Sequence, residues 1–253
     1  MAKLAGVSTS EGVVDPDAVD TWPASVRQLV ERWDDTVPES EFWEDLRVPN
    51  GGPDELVAAL AGQRLRAYHC TRLLAHEAQA IRQQGIRVFA RDLFDERITA
   101  AASHGAIADA DRDALLRGHM YGCGEAHSRG HRAGQVCLVI GRSVFDHDPD
   151  AVHPLLSSWG GEGIYFSSGT ARLVPLLRTL GTPTVVVTDL PMLTNHRSMR
   201  WLPPLSHRLL ATWRRVPGHA DLHYSAPVRP DAVVDLWQPG HPEYDRHGGL
   251  PLI

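Results

Sequence analysis

Tyr68-His69-Cys70-Thr71-Arg72 overlaps the end of the stretch Arg64-Leu65-Arg66-Ala67-Tyr68-His69-Cys70. The stretch reads as a β-strand that delivers a histidine beside small residues at its end. His76–Gln84 follows as a helix stopped by Gly85, and Ile86–Phe89 as a short extended piece. A second segment of the same character, Trp159-Gly160-Gly161-Glu162-Gly163-Ile164-Tyr165-Phe166, lies about ninety positions on, where Ile164-Tyr165-Phe166 reads as another strand end.

Outward from these two segments, Asp92–Ala102 and Asp109–Arg117 read as helices, and the apolar run Gln135–Ile140 as a buried strand. Ala171–Leu180 carries an amphipathic helix interrupted early by Pro175. Thr184–Thr188 (Thr-Val-Val-Val-Thr) is the clearest strand, and Asp221–Tyr224 and Ala232–Trp237 supply the last extended pieces. Before the first strand, Val26, Leu29, Val30 and Trp33 fall at helical spacing, followed by helical stretches at Glu39–Leu46 and Pro53–Leu60. Strands and helices mix without regular βαβ alternation and without an internal repeat, so the expected class is α+β. The expected organisation is a mobile leader over residues 1–20, a helical N-terminal extension over 21–62, a main domain over 63–240 and a C-terminal tail over 241–253.

Composition narrows the function classes. The chain has 253 residues, 43% hydrophobic and 22% charged, enough to bury a substantial core. A formal net charge of -6 argues against a broad electrostatic grip on nucleic acid, although a local basic groove is compatible with it. Lys3 is the only lysine, which fits a GC-rich, bacterial-type coding sequence better than a set of phosphate forks. Three cysteines, Cys70, Cys123 and Cys137, fit a reducing compartment, and no stretch reaches the roughly 18 apolar residues of a membrane span. The expectation is a cytoplasmic, unprocessed protein with no membrane partner.

Two constellations carry chemistry. Tyr68-His69-Cys70-Thr71 resembles the Tyr-His-Gly-Thr segment that opens many ADP-ribosyltransferase-fold domains, and the helix ending in Gln84-Gly85-Ile86 resembles their Ile-x-x-x-Gly-Leu continuation. Gly161-Glu162-Gly163-Ile164-Tyr165-Phe166-Ser167 looks like the second motif of that fold, and the resemblance runs loosely from Leu65 to Trp237. It implies a split β-sheet domain that binds NAD as substrate, in a cleft lined by His69, Thr71, Trp159 and Tyr165, and cleaves the nicotinamide–ribose bond. In that reading His69 bonds the nicotinamide-side ribose, Tyr165 stacks on the nicotinamide ring and Thr71 shapes the entry. ADP-ribose then passes to an acceptor, protein, nucleic acid or small molecule, that the sequence does not specify. The family commonly places a glutamate near the start of a late strand, and the corresponding stretch Gly218–Tyr224 has none. Asp221 or His223 stands in its place, or Glu162 supplies the carboxylate from its loop.

The second constellation crowds Cys123, Glu125, His127, His131 and Cys137 into fifteen positions. Cys123, His127 and His131 would serve a zinc-dependent hydrolase if they shared one helical face, but Gly122, Gly124 and Gly130 argue against a helix there, and no metal site is expected. A third reading is a non-catalytic module that binds a nucleotide or a partner through the same cleft. Gly-x-Gly-x-x-Gly after a strand, Gly-x-x-x-x-Gly-Lys-Ser/Thr and Gly-x-Ser-x-Gly are all absent, which removes the usual dinucleotide, phosphate-loop and serine-hydrolase readings.

Overall fold

The computed structural model describes residues 12–40, 42, 45–122, 132–192 and 202–251. An antiparallel sheet forms its centre, in the order β5 (Ala220–Tyr224), β3 (Val136–Ile140), β2 (Arg64–Leu73), β4 (Thr182–Pro191) and β6 (Val233–Trp237). A two-residue strand, β1 (Val13–Val14), pairs parallel to the start of β2, with Val13 opposite Arg64. Helices cover both faces, so the α+β class is established.

β4 is buried on both faces from Pro183 to Leu190, which is why its sequence lacks polar alternation, whereas β2 alternates partly exposed and buried residues as far as Ala67 and is buried on both faces only towards its end. On one face, Leu65, Ala67, Leu138, Ile140 and Leu222 pack against α1 (Ala24–Asp34), α2 (Gly52–Ala59) and α10 (Leu202–Trp213), through Val26, Leu29, Trp33, Leu56 and Leu209. On the other, Tyr68, Cys70, Val139 and Trp237 meet Phe145 of α6 (Val144–His147), Leu156 of α7 (His153–Ser157) and Tyr244 of α11 (Pro242–Asp245). A third cluster ties α4 (Arg91–Ser103), α5 (Asp109–Gly118), α8 (Glu162–Tyr165) and α9 (Val174–Thr179) together through Phe94, Ile98, Leu115, Trp159, Ile164 and Leu177. Each fully buried aliphatic side chain of this kind contributes about 1.5–3 kcal/mol of transfer free energy.

The pairing of β2 is unequal on its two edges. Along β4 the ladder is continuous from Arg64 opposite Pro191 to Leu73 opposite Thr182. On the other edge β1 occupies residues 64 and 65, and β3 pairs only where Tyr68 faces Val139. β3 instead follows β5, from Val136 opposite Tyr224 to Ile140 opposite Ala220. The sheet therefore splits between residues 69–73 of β2 and residues 136–138 of β3, and among the described residues no strand fills the gap. α3 (Ala75–Gln84) begins directly after β2 and ends at Gly85, whose φ of 81° and contact with the Val228 carbonyl leave no room for a Cβ.

Several expectations need correction. The first strand does not end at Cys70, just past His69, but runs on to Leu73, because β4 pairs with it that far. Ile164-Tyr165-Phe166 is not a strand: Gly160 and Gly161 take φ of 95° and 66°, and the amides of Ile164 and Tyr165 turn back to the Gly161 carbonyl at 3.0 and 3.1 Å, starting α8. The described residues of Glu39–Leu46 contain no α-helix. From Gly12 onward the leader is built into the fold. Trp22 donates its indole N–H to the Asp15 carbonyl at 2.8 Å, and Thr212 bonds the Pro16 carbonyl at 2.6 Å. Asp17 accepts the Arg142 amide at 2.7 Å and pairs with buried Arg208. At the other end Tyr244 donates to the Pro251 carbonyl at 2.7 Å, holding residues 242–251 against the second core. No described helix is long and apolar enough to cross a membrane.

Removing the Asp17 carboxylate leaves the Arg208 guanidinium, 4% exposed, without its anion. Asp17→Ala should cost about 3 kcal/mol and lower the melting temperature by roughly 10 °C in scanning calorimetry. A variant that melts with the native protein would show that the N-terminal segment is not anchored there.

Candidate functional site at the split in the sheet

A cavity of about 350 Å³ opens at the split. Its floor is the diverging edges of β2 and β3, with His69, Cys70, Thr71, Val136 and Cys137. α3 and α4 form one wall, and the Gly160–Gly163 turn with Arg132 forms the other. The apolar part of the lining includes Ile81, Leu93, Leu155 and the rings of Phe89 and Phe94, which meet edge to face at 4.8 Å. Gly163 packs so closely on the Phe94 ring that a Cβ there would lie 2.5 Å from Cζ, so the turn can lie against α4 only as glycine.

His69 occupies the place where the ladder stops. Its Nδ1 lies 2.8 Å from the Cys137 carbonyl oxygen, a group that the missing β2–β3 pairing would otherwise leave without a partner. A carbonyl only accepts, so Nδ1 carries the proton and Nε2 keeps its lone pair. Burial lowers the His69 pKa, partly opposed by that hydrogen bond, and the ring is therefore neutral at neutral pH. The site thus holds a fixed imidazole whose free nitrogen accepts a hydrogen bond.

Beside it is a buried ion pair. Glu77, at the start of α3, accepts from the Leu74 amide at 2.8 Å, from Trp159 Nε1 at 2.8 Å and from Arg97 Nε at 2.6 Å. Burial raises its carboxyl pKa, but the Arg97 charge and the three hydrogen bonds outweigh that and hold it below the ordinary glutamate value. Arg97 also lies over the Trp159 ring, 5.2 Å from its centroid. Glu162 faces the cavity from the glycine turn and pairs with Arg132.

Of the residues singled out from sequence, the structure brings His69, Thr71 and Glu162 together around one cavity and leaves three outside its lining. Trp159 is fully buried and acts through Glu77 and Arg97, so it offers no face to a ligand. Tyr165 sits half-buried at the end of α8, packed on the third core with its ring 6.4 Å from that of Phe166, and burial pushes its hydroxyl up to about 12. Asp221 is exposed on β5 and does not line the cavity, whereas its neighbour His223 reaches the rim indirectly, through Gln135 at 3.1 Å. Cys123, His127 and His131 lie outside the described residues. Cys137 is in β3, and burial raises the thiol pKa both there and at Cys70, the latter to about 12. Among the described residues no group of three or more His, Cys, Asp or Glu could hold a metal ion.

Sequence reasoning missed Glu77, Arg97, Phe89 and Phe94. Glu77 stands in the first turn of a helix and Arg97 in the middle of another, where carboxylates and guanidiniums ordinarily face solvent. The one available signal was spacing: Glu77 lies eight residues after His69, at the entry of the helix that follows the strand.

No protein-family model matches the chain, and no curated protein or solved structure matches it either. The cavity is therefore interpreted from its own residues.

Because the Glu77 carboxyl titrates below its ordinary 4.5, the folded state holds fewer protons there than the unfolded chain. The stabilisation is complete above that value and is lost as pH falls through the lowered one. Glu77→Gln should cost about 3 kcal/mol at neutral pH, measured as a fall in the urea midpoint, and the gap to the native protein should narrow in acid. A gap that stays constant down to pH ~3 would contradict an ionised Glu77.

Proposed function

We propose that the cavity binds the nicotinamide-ribose part of NAD and that the protein is an ADP-ribosyltransferase-like enzyme that cleaves the nicotinamide–ribose bond. The observation that carries this reading is the neutral His69, held by the Cys137 carbonyl at the split with Nε2 as acceptor. Such a nitrogen suits a ribose hydroxyl, which donates to it. A volume of about 350 Å³ is at the small end of ligand cavities and suits a nucleoside-sized moiety rather than a whole dinucleotide. The apolar lining around Phe89 suits the nicotinamide ring, and Phe89 takes the stacking role that the resemblance assigns to Tyr165.

In the reaction the bond between the nicotinamide nitrogen and ribose C1′ breaks with its electron pair leaving on nicotinamide. The acceptor's nucleophile forms the new bond to C1′ and loses a proton to a carboxylate. Glu162 is our choice for that carboxylate, since it lines the cavity and Asp221 does not. The positive charge that develops on the ribose is stabilised by position and electrostatics rather than by a covalent step. Thr71, 4% exposed beside His69, shapes the entry.

Incubation with NAD should release free nicotinamide, read by chromatography. His69→Ala should lower the rate by about 100-fold or more, the scale of a lost positioning group, and should also lower the melting temperature by several degrees without unfolding the protein, because the Cys137 carbonyl loses its donor. NAD binding by calorimetry without nicotinamide release would favour the non-catalytic module. Stoichiometric zinc in the purified chain would favour the hydrolase built on Cys123, His127 and His131.

A further inference from the structure

The carboxylate of Glu162 is not alone at the cavity wall. Its Oε2 is in contact with Nη1 of Arg132, and both residues line the cavity. At 33% and 35% exposure, neither side chain is sealed away from a ligand. They arrive from separate elements: Glu162 opens α8 behind Gly160 and Gly161, and Arg132 stands in the turn before β3, where its carbonyl accepts the Gln135 amide at 3.2 Å. The Arg132 charge also reaches Cys137, where it partly offsets the rise that burial causes in the thiol pKa. Cys137 is the residue whose carbonyl holds His69, so Arg132 lies on the side of the cavity assigned to the ribose.

This contact sets Arg132 apart from the other arginines of the lining. Arg87 is matched by Asp92 and Glu96 at the exposed rim, and Arg97 is fixed on Glu77 and over the Trp159 ring. Arg132 alone of the three is held by the carboxylate that takes a proton in the proposed reaction. The thiols of Cys70 and Cys137 also line the cavity, but burial raises their pKa and keeps them protonated, hence poor nucleophiles. A guanidinium is charged and becomes nucleophilic only as it gives up a proton, which a carboxylate already in contact with it can take while the new bond forms.

We propose that Arg132 is itself an acceptor, so that the chain transfers ADP-ribose from NAD to its own side chain. This rests on the reading of the cavity given above. The bond between the nicotinamide nitrogen and ribose C1′ breaks, and its electron pair leaves on nicotinamide. A terminal nitrogen of Arg132 forms the bond to C1′, and the proton it loses passes to Glu162 and then to solvent. No further reactant takes part. An acceptor carried by the same chain makes the transfer unimolecular once NAD is bound.

The test incubates the full chain with NAD, follows nicotinamide release by chromatography and maps the digested protein by mass spectrometry. One ADP-ribosyl group should appear on the peptide carrying Arg132, at a fractional rate that does not change when the protein is diluted. Arg132→Gln should lose this label, and Glu162→Gln should slow its appearance by about 100-fold or more, the scale of a lost general base. Free ADP-ribose offered in place of NAD should leave the chain unlabelled. The peptide map of the native chain decides the matter even if a variant does not fold. Nicotinamide release with Arg132 unlabelled, a label on His69, a cysteine or another arginine instead, or labelling that slows on dilution would overturn Arg132 as the acceptor within its own chain and leave the reading of His69 in place. Labelling of Arg132 by free ADP-ribose would overturn the transfer from NAD. Neither nicotinamide nor label would overturn both readings.

Discussion

The hydrogen bond from His69 to the Cys137 carbonyl is the interaction around which the site is organised. A strand whose ladder stops in mid-sheet exposes backbone donors and acceptors, and these must find other partners or water. Here a side chain supplies one of them. The same bond determines which imidazole nitrogen is protonated, so a requirement of the backbone sets the chemistry presented to the cavity. The continuous pairing of β2 with β4 on its other edge keeps this arrangement in place, because β2 remains a central strand even where β3 has left it.

Around that bond the site is electrically balanced. Three arginines and three glutamates line the cavity, Arg87, Arg97 and Arg132 with Glu77, Glu96 and Glu162. The exposed Arg87 pairs contribute little to stability, since solvent screens them. The Glu77–Arg97 pair is different, because it is buried and Glu77 is fully supplied with donors. Such a pair need not stabilise the fold relative to an apolar substitute, but it fixes the orientation of both partners. Fixed orientation is useful to a binding site, and it ties α3, α4 and the turn at Trp159 into one wall.

Much of the fold was legible in the sequence, for reasons that belong to particular segments. β3 and β4 announce themselves as apolar runs because they are buried on both faces, and α1, α4 and α5 as periodic stripes because they are buried on one. Ile164-Tyr165-Phe166 misled because a short apolar triplet next to glycines suits a strand end and a single helical turn equally well. The left-handed φ angles of Gly160 and Gly161 decide between them, and those depend on tertiary packing. His69, Thr71 and Glu162, which line the cavity, could be singled out from the sequence because they sit in compact motifs. Glu77 and Arg97 were not, because their pairing joins two helices twenty residues apart and no local pattern marks it. Trp159 stood out as a conspicuous aromatic, yet full burial makes it a support for Glu77 instead of a surface for a ligand.

The protonation pattern of the His69 ring can be read from its nitrogen chemical shifts by NMR at pH 7. The His69–Cys137 hydrogen bond requires a neutral ring with the proton on Nδ1, and the proposed function requires an Nε2 resonance that moves when NAD is added. A charged imidazolium, or a proton on Nε2 with Nδ1 bare, would contradict it.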